Sequence, residues 1–141
     1  MSETGFEGGT AYLLATVGAE IRRRWVDALG RLDVTPTQFK VVMCLGTAGP
    51  VGQRELAELV GIDPRNCGPV VDALEKRGLL TRATDEGDRR RRVLALTRKG
   101  RRLAEKLEAA NVEVEEELRD LLGAAEHERL REVLLRIPRA G

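Results

Sequence analysis

Apolar residues recur along this chain with a helical period at both ends and an extended period between them. Leu14, Val17, Ile21, Trp25 and Ala28 fall three and four apart, with Glu20, Arg22, Arg23 and Asp27 on other faces. This spacing predicts an amphipathic helix of about five turns after a small, polar, Gly-rich opening. Thr35-Pro36-Thr37-Gln38 opens a second helix: Thr caps, Pro suits the first helical position, and Gln three residues after the cap closes a capping box. The dense apolar set Phe39, Val42, Met43, Cys44 and Leu45 predicts burial on more than one side, and Gly46 to Gly49 ends the helix. Gln53 to Val60 reads as a short helix with Leu56, Leu59 and Val60 inward, stopped by Gly61. Asp63 caps the next helix with Pro64 behind it, and Val70, Val71 and Leu74 face inward as far as Gly78.

Beyond Gly78 the period turns extended. Leu79 to Ala83 and Arg92 to Leu96 flank the polar stretch Thr84 to Arg91, which predicts a hairpin whose long charged loop projects as a flexible finger. From Thr97 the helical period returns, because Leu103, Leu107, Ala110, Val114, Leu118 and Leu121 approximate a coiled-coil seam. Leu130, Val133, Leu134 and Ile137 form a last amphipathic helix before Pro138. Two short helices joined by a tight Gly turn and followed by a hairpin predict a winged helix-turn-helix. The fold class expected is therefore mainly α with a small β-hairpin wing. The flanking helices carry apolar stripes too extensive for one small domain to bury, so a twofold partner is expected.

A length of 141 residues with 42% hydrophobic content fits one domain with a core, not two. The expected division is a disordered tail over residues 1–9 and a single domain over 10–141. At 3% aromatic content, stacking platforms for single-stranded nucleic acid are scarce. The net charge of +1 decides nothing, but its distribution does: nine basic residues between Arg82 and Arg102 face only Asp85, Glu86 and Asp88, whereas acidic residues outnumber basic ones from Leu103 onward. The first region suits phosphate; the second does not.

Cys44 and Cys67 lack a pairing pattern and a nearby metal-ligand partner, so reduced thiols, no metal and no cofactor are expected. Cys44, in an apolar helix, reads as inert, whereas Cys67 lies near a helix start and Arg65, which could lower its pKa. His127, the only histidine, reads as an exposed helix residue; with no phosphate loop and no metal cluster, an enzyme is not expected. The opening MSETGFEGG lacks the basic start and apolar core of a secretory signal, and no apolar run approaches a membrane span, so a soluble cytoplasmic protein is expected.

The segment LEKRGLLTRATDEGDRRRRVLALTRKG, from Leu74 to Gly100, resembles the signature of the multiple antibiotic resistance regulator (MarR) family. It has that family's run of recognition-helix end, wing strand, acidic-then-arginine tip, second strand and Leu-Thr helix start. The preceding LAELVGID, from Leu56 to Asp63, fits as well. The resemblance implies a double-stranded DNA-binding transcriptional regulator, homodimeric on a pseudopalindromic operator, with repression the commoner outcome. Residues 10–30 and 97–138 would be dimerisation helices and 35–96 the winged helix-turn-helix. Members often bind a small aromatic or anionic effector between the dimer helices and the winged part, which makes Tyr12, Ile21, Trp25 and Met43 candidates. Core packing is the plainer reading of the same spacing. Relatives that sense oxidants use a thiol in the first helix, where this chain has none.

The second helix of such a pair can enter the major groove, where base edges distinguish all four base pairs. Its exposed early residues are Arg65, Asn66, Gly68 and Pro69. The planar fork of Arg65 suits guanine, and Asn66 suits adenine or a phosphate. Gln53 and Arg54 begin the preceding helix, where amides and side chains meet phosphate and fix register. Arg89, Arg90, Arg91 and Arg92 lie in or beside the wing, and narrow minor grooves attract arginine. Strand alternation means that not all four can touch DNA. By resemblance, Asp88 pairs with a wing arginine and holds the loop in shape. Gly68 and Pro69 inside the recognition helix depart from the family pattern and predict a kink or a late regular start. The competing reading is a dimeric protein-interaction module that keeps the winged fold without binding DNA.

Overall fold

The computed structural model describes residues 5–139. A short 3-10 turn, Gly5–Gly8, precedes α1 (Thr10–Arg31), α2 (Pro36–Ala48), α3 (Gln53–Val60), α4 (Pro64–Lys76), β1 (Leu80–Thr84), β2 (Arg92–Leu96), α5 (Arg98–Leu122) and α6 (Ala124–Leu135). Residues 1–4 of the expected tail lie outside the described residues. Within the rest of it, Phe6 meets Tyr12 edge to face with ring centroids 5.2 Å apart.

The helix boundaries follow from local chemistry. Thr35 Oγ1 accepts from the Gln38 amide at 3.1 Å and Gln38 Oε1 accepts from the Thr35 amide at 3.1 Å, closing the capping box on α2. Gly61 ends α3 in the left-handed conformation at φ 75°, which costs glycine little. The core gathers Val41, Val42 and Leu45 from α2, Leu56 and Ala57 from α3, Val71 and Leu74 from α4, and Leu79, Leu80 and Leu94 from the hairpin. Leu29 of α1 and Leu107 of α5 close it from the other side.

Leu59 does not join this core; it is 58% exposed. The inward face of α3 is centred on Leu56, Ala57 and Val60, which leaves Leu59 about 100° round the helix at 3.6 residues per turn. His127 also departs from expectation, being only 8% exposed, with Nε2 2.9 Å from Glu115 Oε2, a contact that ties α6 to α5.

The hairpin is antiparallel and runs from Leu80 opposite Leu96 to Thr84 opposite Arg92, so its first strand starts one residue later than predicted. A third segment joins at Val51, whose amide donates to the Leu94 carbonyl at 3.2 Å and whose carbonyl accepts from Leu94 at 2.7 Å. The wing is thereby anchored to the α2–α3 connection. Its root also seats α5: the Thr97 amide donates to the Leu79 carbonyl at 3.0 Å and the Thr97 hydroxyl to the Gly78 carbonyl at 2.6 Å.

A row of large apolar side chains on the flanking helices remains uncovered, including Leu13 and Val17 of α1, Leu121 of α5 and Leu135 of α6. No helix among the described residues is long and apolar enough to cross a membrane.

Candidate nucleic-acid interface

The Gly61 turn delivers the chain to Asp63, whose carboxylate starts α4. Asp63 Oδ1 accepts from the Arg65 amide at 2.8 Å, the capping bond, and from Arg65 Nε at 3.3 Å, while Oδ2 accepts from Arg65 Nη2 at 2.9 Å. The Arg65 side chain remains 89% exposed. Hydrogen bonding to the guanidinium and then to the amide holds the Asp63 carboxyl below its ordinary range, and the same carboxylate raises Arg65. Asn66 and Pro69 are exposed on the same side of α4. Gly68 is partly buried, and a Cβ there would lie 3.6 Å from Gln53 Nε2. Gln53 thus packs against the first turns of α4, whereas Arg54 beside it is exposed.

The late regular start predicted for α4 does not occur, since the helix runs unbroken from Pro64 to Lys76 with Pro69 inside. Pro69 withholds one amide from the Arg65 carbonyl. Its ring meets no Cβ on the preceding residue, because that residue is Gly68, and this relieves the usual pressure against helix before proline.

Cys67 is fully buried in the first turns of α4 with its sulfur 3.8 Å from the Gln53 carbonyl. Burial pushes its thiol up, opposite to the lowering that a helix start and a nearby arginine suggested. Cys44 is pushed up too, by burial first and Glu55 second.

The wing loop is a hydrogen-bonded turn. The Asp85 amide donates to the Arg91 carbonyl at 2.8 Å, the Arg91 amide to the Asp88 carbonyl at 3.0 Å, and the Gly87 amide to Asp85 Oδ1 at 3.0 Å. Asp88 does not pair with a guanidinium; its Oδ1 accepts from the backbone amide of Arg90 at 3.0 Å, an Asx turn that shapes the tip through the main chain. Arg91 is turned back from the tip. Its Nη2 lies 2.7 Å from Glu55 Oε2 on α3, its Nη1 3.7 Å from Asp85 Oδ2, and a Cβ on Gly52 would stand 3.5 Å from it. Arg89, Arg90 and Arg92 stay exposed. At the wing base, Arg82 spans Asp72 at 2.7 Å and Glu75 at 2.6 Å, tying β1 to α4.

Sequence reasoning therefore missed the acids that hold these arginines. Asp63 and Arg65 stand two apart at a helix cap, a spacing from which their contact could have been read. Glu55 and Arg91 are 36 residues apart, and nothing local links them.

The four effector candidates do not share one cleft. Tyr12 and Trp25 sit thirteen positions apart on one helix, roughly 20 Å at 1.5 Å per residue. Trp25 packs edge to face on Phe39 at 5.0 Å, Ile21 lines a groove with Val114 and Leu118, and Met43 lines a separate cleft with Leu96 and Arg101.

A model of the MarR family matches residues 34–91. Over 99% of this chain and 100% of its own, the transcriptional repressor CouR bound to a 23-mer DNA duplex superposes with a TM-score of 0.80 at 30% identity. The chain belongs to the MarR family. CouR from Rhodococcus jostii RHA1, solved bound to p-coumaroyl-CoA, is 26% identical with a TM-score of 0.76, over 99% of each chain. A probable transcriptional regulator from Pseudomonas aeruginosa is 32% identical with a TM-score of 0.75, covering 92% of this chain and 97% of that one. The regulator SarZ of Staphylococcus saprophyticus is 29% identical over 96 residues, 68% of this chain and 66% of its own length. These relatives are regulators rather than enzymes. The span matched by the MarR family model takes in every DNA-contact candidate from Gln53 to Arg91, while α1, α5 and α6 fall entirely outside it.

Proposed function

We propose that this MarR-family chain is a sequence-specific double-stranded DNA-binding repressor that acts as a homodimer on a pseudopalindromic operator. One observation carries the reading: a single winged unit presents two cationic tips, with Arg65 exposed at the start of α4 and Arg89 and Arg90 exposed at the end of the hairpin. The first tip suits the major groove, with Arg65 reading guanine and Asn66 reading adenine. Gly68 allows close backbone approach, and Pro69 offers an apolar surface to a thymine methyl. Arg89 and Arg90 suit a narrow minor groove, while Asp88 and Arg91 shape the tip behind them. Gln53 and Arg54, at the start of α3, set the register on phosphates.

The uncovered apolar rows on α1, α5 and α6 support a twofold dimer, which would set two α4 helices one helical turn apart, roughly 34 Å. A small aromatic or anionic effector would then release the operator. The Met43 cleft between α2, β2 and α5 favours the aromatic over the anionic kind, since Leu96 and Ala104 give it an apolar wall while Glu105 and Glu108 line it beside Arg101. The test is selection of bound sequences from random duplex DNA, with affinity followed against salt. Retention of a two-half-site sequence and a steep linear fall of log affinity with log salt are expected. Failure to hold any duplex in dilute buffer overturns the reading, and a stable dimer with that behaviour would be a protein-interaction module instead.

A further inference from the structure

We propose that Asp63 is a specificity-determining positioning residue, whose carboxylate holds one side of the Arg65 guanidinium, presents its end-on N–H pair to guanine and withholds it from phosphate. This role rests on the DNA-binding function proposed above.

Capping α4 requires one oxygen, and Ser, Thr or Asn would supply it. Asp63 does more: Oδ1 takes both the Arg65 amide and Nε, at 2.8 and 3.3 Å, and Oδ2 takes Nη2 at 2.9 Å. The amide fixes the carboxylate to the rigid start of the helix, so the guanidinium is moored to backbone rather than to a swinging partner. Of the five N–H donors of arginine, this side-on contact occupies the Nε proton and one Nη2 proton. The donors left over include one from each Nη, the pair whose spacing fits N7 and O6 of guanine.

With the Arg65 side chain 89% exposed, the ion pair contributes little to folding. Its consequence falls on Arg65 itself. A moored side chain has fewer rotamers to give up when it meets a base, which favours the geometry that reads guanine. A guanidinium partly neutralised by a carboxylate is drawn less to the phosphates, which lowers binding to unrelated sequence. Simple electrostatics gives only the second effect, since any carboxylate near DNA repels it. The positioning role adds the first, so loss of the charge tightens non-specific binding while discrimination falls.

The experiment measures affinity of the full chain for its selected operator, for the operator with each base pair replaced in turn, and for an unrelated duplex, together with the thermal unfolding midpoint. Arg65→Ala is expected to reduce preference at one base pair of each half-site by about tenfold, the size of a good bidentate contact. Asp63→Asn keeps the cap but loses the charge, and Asp63→Ser keeps the cap but is too short to reach the guanidinium. Both are expected to reduce preference at that same base pair by about three- to tenfold, to bind unrelated duplex more tightly and to unfold where the wild type does. Asp63→Ser combined with Arg65→Ala should lose no more preference than Arg65→Ala alone, because the two act as one unit. The proposal is overturned if the Asp63 variants keep wild-type preference at every base pair, if they weaken binding uniformly, or if they change preference where Arg65→Ala does not. A wild-type chain that holds no duplex overturns the DNA-binding function itself, a different outcome from intact binding with intact preference in the Asp63 variants.

Discussion

Gly100→Ala tests how closely α5 must lie on the wing root. A Cβ built on Gly100 would stand 2.0 Å from the Leu79 carbonyl oxygen, 3.0 Å from its carbon and 3.1 Å from Leu96 Cδ2. Carbon and oxygen meet comfortably at roughly 3.3 Å, so one of the two backbones would have to retreat by more than an ångström. Neither is free to do so, since the same Leu79 oxygen accepts the Thr97 amide at 3.0 Å and the Thr97 hydroxyl accepts the Gly100 amide at 3.0 Å to cap α5. Overpacking of this kind costs about 1–3 kcal/mol. Loss of the Leu79 hydrogen bond adds about 1 kcal/mol. Alanine returns up to about 1 kcal/mol through its better helix propensity. The expected net loss is about 2 kcal/mol, a fall in Tm of about 6 °C for a chain of this size. Circular dichroism melts at one fixed protein concentration would measure it, because a dimer's Tm depends on concentration. Gly30→Ala, where a Cβ meets nothing within 4 Å, is the control and should melt at or slightly above wild type. Gly100→Ala melting with that control would refute the close seating.

Arg90→Ala should weaken operator binding and reduce the slope of log affinity against log salt by about one, the mark of one cation withdrawn from the polyanion, whereas Arg91→Ala should weaken binding and leave the slope unchanged. An equal change of slope in both would show that Arg91 reaches DNA. The raised pKa of Cys67 keeps its thiol protonated at neutral pH, so alkylation should be slower than for a free cysteine and accelerate only above the ordinary thiol range. Fast labelling at pH 7, or loss of DNA binding on peroxide treatment that Cys67→Ser abolishes, would contradict its burial. Leu121→Glu places a charge on the most exposed large apolar side chain of α5, at 80% accessibility, and should shift a dimer to monomer in sedimentation. An unchanged dimer would move the interface elsewhere.

The parts of the fold legible in the chain are those decided within a few residues. Thr35 and Gln38 close a capping box between themselves, Gly61 takes a backbone angle other residues avoid, and Asp63-Pro64 can begin α4 with no help from outside. Leu59 and His127 depart from the sequence pattern for the opposite reason. An eight-residue helix has barely two turns, so three leucine and valine positions compete for one inward face, and the packing of α2 and α4 chooses between them. The burial of His127 depends on Glu115, which reaches it from a different helix. The finger expected from length and charge becomes a turn because Asp85 and Asp88 accept main-chain amides within it.

At the proposed DNA-facing surface, the cations were legible and their division of labour was not. Four consecutive arginines at 89–92 look equivalent as a run, yet Arg91 is drawn back onto Glu55 and Asp85 while Arg89 and Arg90 have no ion pair among the described residues. Arg82 is likewise spent on Asp72 and Glu75, with hydrogen bonding to Asp72 the larger influence raising it. Arg65 is held from one side and left open on the other. In a chain whose net charge is only +1, attraction to a polyanion cannot come from an excess of positive charge. On the proposed function it would come instead from which arginines the neighbouring acids leave unclaimed. Glu55 and Asp85 on Arg91, Asp72 and Glu75 on Arg82, and Asp63 on Arg65 would then contribute to recognition without touching DNA, by deciding which guanidinium groups are available to do so.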